Sequence, residues 1–247
     1  RRYHLVELTA LTDADFRALA GTFTVLITNG EATVTRELIA SLPALELIAV
    51  FGVGYDGVDV QAAAEHQVRV SHTPGVLTDD VADLALGLML ATSRQIVAAH
   101  KFIEAGEWAA GGFPWTQKVS GSRVGIVGMG RNGRHLASLA RGFGMRVIGY
   151  DPFVDPASLA PLGVTLTPLE ELMRESDYVS ILARATAENR HMVGARELGL
   201  MKPTAALVNT GRPQLMDYDA LIQALEADRL RMAAIDVFSP EPLPPDS

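Results

Sequence analysis

The sequence contains no cysteine, and its 29 acidic residues outnumber its 21 basic residues. The absence of cysteine excludes disulfides, thiolate metal sites and a cysteine nucleophile, and it is compatible with the reducing cytoplasm, where we expect the protein. The net charge of −8 provides no basic surface for phosphate backbones, so we expect no nucleic-acid partner. The longest strongly apolar run, residues 84–91, is far shorter than the roughly 20 residues that cross a bilayer. We therefore expect no membrane span and no metal site, and a small molecule is the expected partner.

The chain has 247 residues, of which 48% are hydrophobic, and this is enough to bury two cores. Short β-rich runs alternate with helical patterns, as in parallel sheets built from strand-helix-strand units, so an α/β fold is predicted. We divide the chain at Pro74-Gly75 into a substrate-binding domain, residues 1–73, and a second domain, residues 74–247. Residues 76–105 read as one long interdomain helix, straight or kinked. The chain begins without methionine and ends in a proline-rich stretch, so we expect it to be cut at both ends, with an incomplete first domain.

The individual elements follow from hydrophobic periodicity. In the first domain we predict strands at 23–28, 45–51 and 68–70, with helices at 34–41 and 59–66. In the second we predict strands at 123–127, 146–150, 178–182, 205–209 and 232–238, with helices at 131–143, 169–175, 195–201 and 218–227.

A glycine-rich turn, Gly128 to Gly133, follows a predicted strand directly and opens a predicted helix. Gly128 permits the tight turn, Gly130 lets the backbone approach a pyrophosphate, and Gly133 lets helix and strand pack closely. The free amides at the helix start attract the anion. A glycine-rich turn alone is weak evidence, because such turns also serve as plain connectors. Between a strand and a helix, this spacing predicts a dinucleotide site, with Arg131 and Asn132 among its cofactor-binding residues.

Asp151 stands at the end of the next predicted strand, immediately before Pro152. A carboxylate at this position accepts hydrogen bonds from the adenosine ribose hydroxyls and repels the 2′-phosphate of NADP. The alternative is that Asp151 is only a turn residue before the proline. We predict NAD as the cofactor.

Four further segments carry a resemblance to one family, and the match covers essentially the whole chain. They are Phe51–Asp59, His72–Asp83, Asn209–Arg212 and Asp236–Pro242. Together with the glycine turn they resemble the motifs of the D-isomer-specific 2-hydroxyacid dehydrogenases. The resemblance implies a Rossmann dinucleotide-binding domain plus a smaller flavodoxin-like α/β substrate domain, assembled as a homodimer. It also implies NAD(P)-dependent hydride transfer between nicotinamide and C2 of a small 2-keto or D-2-hydroxy acid.

The resemblance also implies roles for particular residues. The backbone amides of Val53 and Gly54 would bind the substrate carboxylate, and Arg212 would bind the keto acid. Glu241 would be the catalytic glutamate that pairs with a histidine. The remaining implied cofactor-binding residues are Thr78, Thr210, Gly211 and Asp236.

These roles agree with the chemistry of keto-acid reduction. Hydride arriving at C2 leaves negative charge on the carbonyl oxygen, so the site needs a fixed cation and a proton donor. The planar fork of Arg212 can hold carboxylate and carbonyl oxygen together. Glu241 would orient a histidine ring and favour its protonated form. Alone, Arg212 could merely form a surface ion pair and Glu241 could decorate a linker, but their joint occurrence after successive strands favours the catalytic interpretation.

None of the six histidines fits the position of the family's proton donor. The family places it in a Pro-His motif downstream of the glutamate, so we expect it beyond Ser247. For the histidines that are present, among them His72 at the domain junction and His191, we expect surface or hydrogen-bonding roles.

Some positions depart from the family pattern or divide its subfamilies. Pro213 stands where the family frequently has glycine. Arg184 stands where proline is more usual, and its positive charge leaves NADP open as an alternative cofactor. Phe51 stands where phosphoglycerate-type members of the family tend to present basic residues to the substrate phosphate. It therefore predicts an unphosphorylated substrate. Residues 76–94 resemble glyoxylate and hydroxypyruvate reductases, whereas residues 150–153 are closer to phosphoglycerate dehydrogenases.

The alternative functions are phosphoglycerate dehydrogenase, formate dehydrogenase, whose specific motifs are not evident, and an NADH-sensing binding protein similar to corepressors of this fold.

Overall fold

The computed structural model describes residues 4–30 and 32–245. The chain forms two compact units, Arg1–Leu77 and Thr78–Ser247. The boundary between these compact units follows Leu77, and the predicted division after residue 73 into a substrate-binding and a cofactor-binding domain stays a prediction. The expectations about both chain ends concern residues outside the described ranges.

The first unit is a small α/β layer around a three-stranded parallel sheet. Its helices are α1 (Asp13–Leu19), α2 (Arg36–Ala40) and α3 (Val60–Glu65), and its strands, in sheet order, are β1 (Val25–Asn29), β2 (Leu47–Phe51) and β3 (Arg69–Ser71). Side-chain caps start all three helices, because Thr12 accepts the Asp15 amide, Thr35 accepts the Leu38 amide and Asp59 accepts the Ala62 amide. The predicted α/β layer is confirmed, whereas the flavodoxin-like assignment stays a prediction. Helix α1 was not predicted.

The second unit is built on a six-stranded sheet in which every pair is parallel. Its elements are α4 (Thr78–Ser93), α5 (Ile96–Glu104), β4 (Arg123–Val127), α6 (Arg131–Gly142), β5 (Arg146–Tyr150), β6 (Thr165–Leu166), α7 (Leu169–Glu175), β7 (Tyr178–Ile181), α8 (Ala195–Leu198), β8 (Ala206–Asn209), α9 (Tyr218–Glu226) and β9 (Met232–Ile235). The order β6-β5-β4-β7-β8-β9 is the 3-2-1-4-5-6 order of dinucleotide-binding folds. The predicted Rossmann fold is confirmed. The two-residue strand β6 was missed because it is too short to show a pattern.

The sheet of the second unit is covered on both faces, which is why its central strands are apolar without alternation. All residues of β7 and β8 are buried. On one face Met89 of α4 and Leu136 of α6 pack into a core with Val124 of β4. On the other face Leu172 and Leu221 pack into a second core with strand residues of β7 and β8.

The stretch predicted as one interdomain helix is two helices, α4 and α5, bent by 51°. Gln95 between them has a left-handed backbone with φ of 49°. The carbonyl of Ser93 accepts a hydrogen bond from the Gln117 amide at 3.2 Å. This carbonyl therefore bonds outside the helix instead of continuing the helical hydrogen-bond pattern. Thr92 adds to the bend because its hydroxyl donates back to the Leu88 carbonyl.

Among the described residues, no single helix is both long and apolar enough to cross a membrane. In the described part of the chain, one bent pair, α4 and α5 taken together, is long and apolar enough.

A buried hydrogen bond of 2.5 Å joins the hydroxyls of Ser93 in α4 and Tyr178 in β7. We expect Tyr178→Phe to lower the free energy of unfolding by about 1–3 kcal/mol, because the Ser93 hydroxyl loses this partner in the interior. The double variant Ser93→Ala with Tyr178→Phe should recover part of the loss, since both polar groups are then gone. Urea unfolding followed by circular dichroism measures both. A single variant as stable as the wild type would contradict the expectation.

Candidate active site

The second unit presents the last residues of five parallel strands in one row. The register pairs neighbouring strand ends in the order Tyr150, Val127, Ile181, Asn209, Ile235. The residues that follow these ends therefore lie along one edge of the sheet, where ligands bind in open α/β folds. Four of the predicted site residues are among them: Asp151, Gly128, Thr210 and Asp236.

The three glycines of the turn differ in what surrounds them. Gly128 has a φ of +99°, and a Cβ there would lie 2.5 Å from the Cα of Ala183. At Gly133 a Cβ would lie 2.1 Å from the carbonyl oxygen of Gly128. At Gly130, by contrast, a Cβ would meet nothing within 4 Å. The first and third glycines are thus required by the fold itself, whereas the second faces open space.

This open space lies where a pyrophosphate would bind. Gly130 is the N-cap of the 12-residue helix α6, whose first turn contains Arg131 and Asn132. Free backbone amides and the positive end of the helix dipole attract an anion here. Without a side chain at Gly130, a phosphate can approach these amides closely, so the turn fits a dinucleotide.

Asp151 is held by the glycine turn. Its Oδ2 accepts the Met129 amide at 2.9 Å, and its Oδ1 accepts the Phe153 amide at 3.0 Å. A carboxylate has about four acceptor positions, so two amides leave capacity for ribose hydroxyls. Asp151 therefore closes its own turn, as the alternative interpretation has it, and keeps acceptors available for a cofactor.

Arg134 supports the glycine turn from the next turn of α6, a role that the sequence did not indicate. Its Nε donates to the Met129 carbonyl at 3.1 Å, and its Nη2 donates to the Ser158 hydroxyl at 2.8 Å. From the sequence, Arg134 looks like any surface residue of an amphipathic helix. Ser158, which is distant in sequence, becomes its neighbour only through the fold.

The loop that carries Arg212 is organised by Asn209, which is fully buried at the end of β8. The Asn209 Oδ1 accepts the Gly211 amide at 3.1 Å, and its Nδ2 donates to the Arg212 carbonyl at 3.2 Å. Gly211 lies close to the neighbouring strand, because a Cβ there would be 2.9 Å from the Ile181 carbonyl oxygen. The sequence placed Asn209 in the Asn209–Arg212 segment without indicating this role, although an amide ending an apolar strand is a detectable signal.

Two further residues of this loop bear on the predicted site. The Thr210 hydroxyl is buried and finds no hydrogen-bond partner in the described parts of the chain. A buried hydroxyl of this kind usually has a partner, and a bound cofactor could provide one. Pro213 takes the first position of the 3₁₀ helix Pro213–Leu215, where proline is well accommodated, so this departure from the family pattern leaves the backbone beside Arg212 unstrained.

The loop after β9 carries Asp236 and Glu241. The Asp236 amide donates to the Asn209 carbonyl at 3.0 Å, which ties this loop to the Arg212 loop. Glu241 accepts the Phe238 amide through Oε1, and the Tyr218 hydroxyl donates to the Val237 carbonyl. Burial, with a smaller effect of the Glu241 charge, raises the pKa of Tyr218 to about 12. Tyr218 therefore stays protonated at neutral pH and can keep donating.

Thr78, Val53 and Gly54 are the remaining predicted site residues. Thr78 is the first residue of α4, which contacts α6, β8 and β9. Val53 and Gly54 belong to a loop of the first unit, Gly52–Tyr55, which we name the substrate loop. A Cβ at Gly30 would lie 2.0 Å from the Gly54 carbonyl oxygen, so only glycine at position 30 allows this approach.

The histidines of the second unit have local contacts. His100 lies 3.3 Å from Glu104 and His135 lies 3.4 Å from Asp79. His191 lines a pocket of about 200 Å³ together with Tyr218 and Ser239. Their predicted non-catalytic roles stay predictions. The described residues contain no group of three or more His, Asp or Glu side chains that could hold a metal ion.

Residues 86–247 match the family model for the D-isomer specific 2-hydroxyacid dehydrogenase, NAD binding domain. A glyoxylate reductase from Thermococcus litoralis is 41% identical over 223 residues, which are 88% of this chain and 67% of that protein. The chain thus spans about two thirds of the length of this relative.

Two solved structures are similar over nearly all of the chain. A 2-hydroxyacid dehydrogenase from Ketogulonicigenium vulgare is 40% identical with a TM-score of 0.88, covering 95% of this chain and 74% of that one. A D-lactate dehydrogenase from Aquifex aeolicus, complexed with NAD and lactic acid, is 26% identical with a TM-score of 0.86, covering 95% and 69%.

The contrast between Gly130 and Gly133 is testable. We expect Gly130→Ala to keep the melting temperature of the wild type but to weaken NADH binding about tenfold or more, because its methyl group enters only the open space. Gly133→Ala should instead lower the melting temperature, because its methyl group meets the Gly128 carbonyl. Thermal unfolding and NADH fluorescence titration separate the two effects. Unchanged NADH affinity in Gly130→Ala would place the pyrophosphate elsewhere.

Proposed function

The chain belongs to the D-isomer-specific 2-hydroxyacid dehydrogenase family and contains its NAD-binding domain, and we propose that the full-length protein reduces glyoxylate or hydroxypyruvate with NADH. The observation that carries the proposal is the single sheet edge that holds the glycine turn, the Arg212 loop and the Glu241 loop. This edge combines a dinucleotide site with a cation and a carboxylate. The glyoxylate reductase relative favours a small, unphosphorylated keto acid.

Arg212 is the residue to which we assign binding of the keto acid. Hydride from the reduced nicotinamide reaches C2, and negative charge develops on the carbonyl oxygen. A guanidinium can pair with that oxygen and with the neighbouring carboxylate. Asn209 donates a hydrogen bond to the Arg212 carbonyl, and the Arg212 Nη1 donates to the Gly211 carbonyl at 3.0 Å. A cation on a prearranged loop needs little reorganisation during the reaction.

Glu241 is the residue to which we assign orientation of the catalytic histidine. A carboxylate beside a histidine holds the ring in place and favours its protonated, acid form. Tyr218 and the Phe238 amide hold the loop on which Glu241 lies. Asp236, on the same loop, is assigned to the nicotinamide end of the cofactor, with Thr78, Thr210 and Gly211 as further cofactor contacts.

The carboxylate of the substrate is assigned to the amides of Val53 and Gly54 in the substrate loop. Two adjacent backbone N–H groups can bind two carboxylate oxygens without adding a charge. These amides would select an acid over a simple aldehyde. A cytoplasmic location, expected from the sequence, stays a prediction.

NADH is the proposed form of the cofactor rather than NADPH. Asp151 is fixed by two amides at the position where it would accept from the ribose hydroxyls. A 2′-phosphate placed there would meet its negative charge. Arg184, in the loop after β7, is a residue that could offset this repulsion, so the same assay should be run with both cofactors.

We expect Arg212→Ala to lower kcat/KM for glyoxylate about 100-fold or more, because the developing negative charge loses its cation. NADH affinity should remain that of the wild type. Arg146→Ala is the matched control, since Arg146 starts β5 at the opposite edge of the sheet and is exposed. Absorbance of NADH reports turnover of glyoxylate, hydroxypyruvate and pyruvate by full-length protein.

Other outcomes of this assay would favour the alternative functions. A full-length protein that binds NADH but reduces no keto acid would favour an NADH-sensing binding protein. Preference for a phosphorylated keto acid would favour phosphoglycerate dehydrogenase. Equal loss of activity in Arg146→Ala and Arg212→Ala would contradict the special role of Arg212.

Homodimer formation through α5 and the loop that follows it is also part of the proposal. Large apolar side chains are exposed there, with fractional exposures of 55% at Ile96, 62% at Val97 and 99% at Trp115. Such a patch is typical of a protein contact, and aromatic residues are enriched in interfaces. The same patch on two copies can pair about a twofold axis.

We expect light scattering to give twice the mass of one chain for the wild type. Replacement of Ile96 and Val97 by Glu should yield a monomer, because two charges would be buried in the contact. Ile222→Glu is the matched control, since Ile222 is 52% exposed on α9, outside α5 and the loop that follows it. A monomeric wild type, or a dimer that survives both charges, would contradict this contact.

A further inference from the structure

Two consecutive residues after β3 hold two consecutive carbonyls of the substrate loop. The Thr73 amide donates to the Gly52 carbonyl at 2.9 Å. The Nδ1 of the His72 ring lies 3.0 Å from the Val53 carbonyl oxygen. A carbonyl oxygen can only accept, so Nδ1 carries the hydrogen of this bond.

These carbonyls control the two amides that matter for the substrate. The Gly52 carbonyl and the Val53 N–H belong to one peptide unit, and the Val53 carbonyl and the Gly54 N–H belong to the next. Both peptide bonds are trans, so in each unit the N–H points away from the carbonyl. Holding the carbonyls with His72 and Thr73 therefore directs both N–H groups to the opposite side of the loop.

The two bonds differ in what they demand of the sequence. The Thr73 amide is available whatever side chain stands at position 73, whereas the bond to the Val53 carbonyl requires a side-chain donor at position 72. The His72 ring is itself held, because it contacts the Tyr55 ring edge-on with centroids 5.0 Å apart. A hydrogen-bonded carbonyl also polarises its peptide unit, which strengthens the N–H at the other end as a donor.

We propose that His72 is a positioning residue that orients the Gly54 N–H toward the substrate carboxylate. The inference rests on the proposed function, because the carboxylate is assigned to the amides of Val53 and Gly54. It is nonetheless separate from it, since Arg212 and the cofactor site could serve the reaction without His72. Gly30 also contributes to the loop geometry, because it leaves room for the Gly54 carbonyl.

The variants His72→Leu and His72→Asn test the donor. Leucine removes it, whereas the asparagine side-chain amide can donate to the same carbonyl. In full-length protein we expect His72→Leu to raise KM for glyoxylate about five- to tenfold, as the loss of one oriented hydrogen bond predicts, with unchanged NADH affinity and a smaller change in kcat. His72→Asn should restore most of the wild-type KM. His66→Leu, at the exposed end of α3, is the matched control and should behave as wild type.

Amide hydrogen exchange tests the same inference without turnover. Residues 52–57 should exchange faster in His72→Leu than in the wild type and in His72→Asn. Unchanged KM and unchanged exchange in His72→Leu would overturn the positioning role, as would an asparagine variant no better than leucine. If the wild type reduces no keto acid, the proposed function fails, and faster exchange in His72→Leu alone would still establish that His72 holds the loop.

Discussion

The parallel register of the six-stranded sheet is the constraint on which the candidate site depends. Parallel strands all end at the same edge, and here five of them end in one row from Tyr150 to Ile235. Every loop that follows these strands therefore starts from the same line. A dinucleotide turn, a cation and a carboxylate that are far apart in sequence come to one edge for this reason alone.

The close approach of backbone segments at this edge explains why glycine is needed at particular positions. Gly128 lets the turn lie against Ala183 in the loop after β7, and Gly133 lets α6 lie against the turn itself. Neither contact leaves space for a methyl group. Gly130 is different, because a Cβ there would meet no protein atom within 4 Å. A bound pyrophosphate would occupy this open space.

A second set of residues supports the loops in roles that the sequence motifs did not indicate. Asn209 ties together the Arg212 loop, Arg134 holds the glycine turn, and Tyr218 holds the loop of Glu241. His72 does the same for the substrate loop in the first unit. Each of these side chains bonds a backbone carbonyl of a loop, so each restricts the direction in which the loop's functional groups point. The same physical device recurs in both units.

The sequence by itself determined the α/β fold, the family and the NAD-binding domain, because strand periodicity and the glycine spacing are local patterns. The strand β5 and the helix α7 were predicted with their observed bounds for the same reason. Only the tertiary structure decided the break between α4 and α5, since the Ser93 carbonyl is taken by Gln117 from a distant loop. It also decided that Asp151 meets Met129, Tyr218 meets Val237 and His72 meets Val53, because hydrogen bonds between distant segments depend on how the fold brings those segments together.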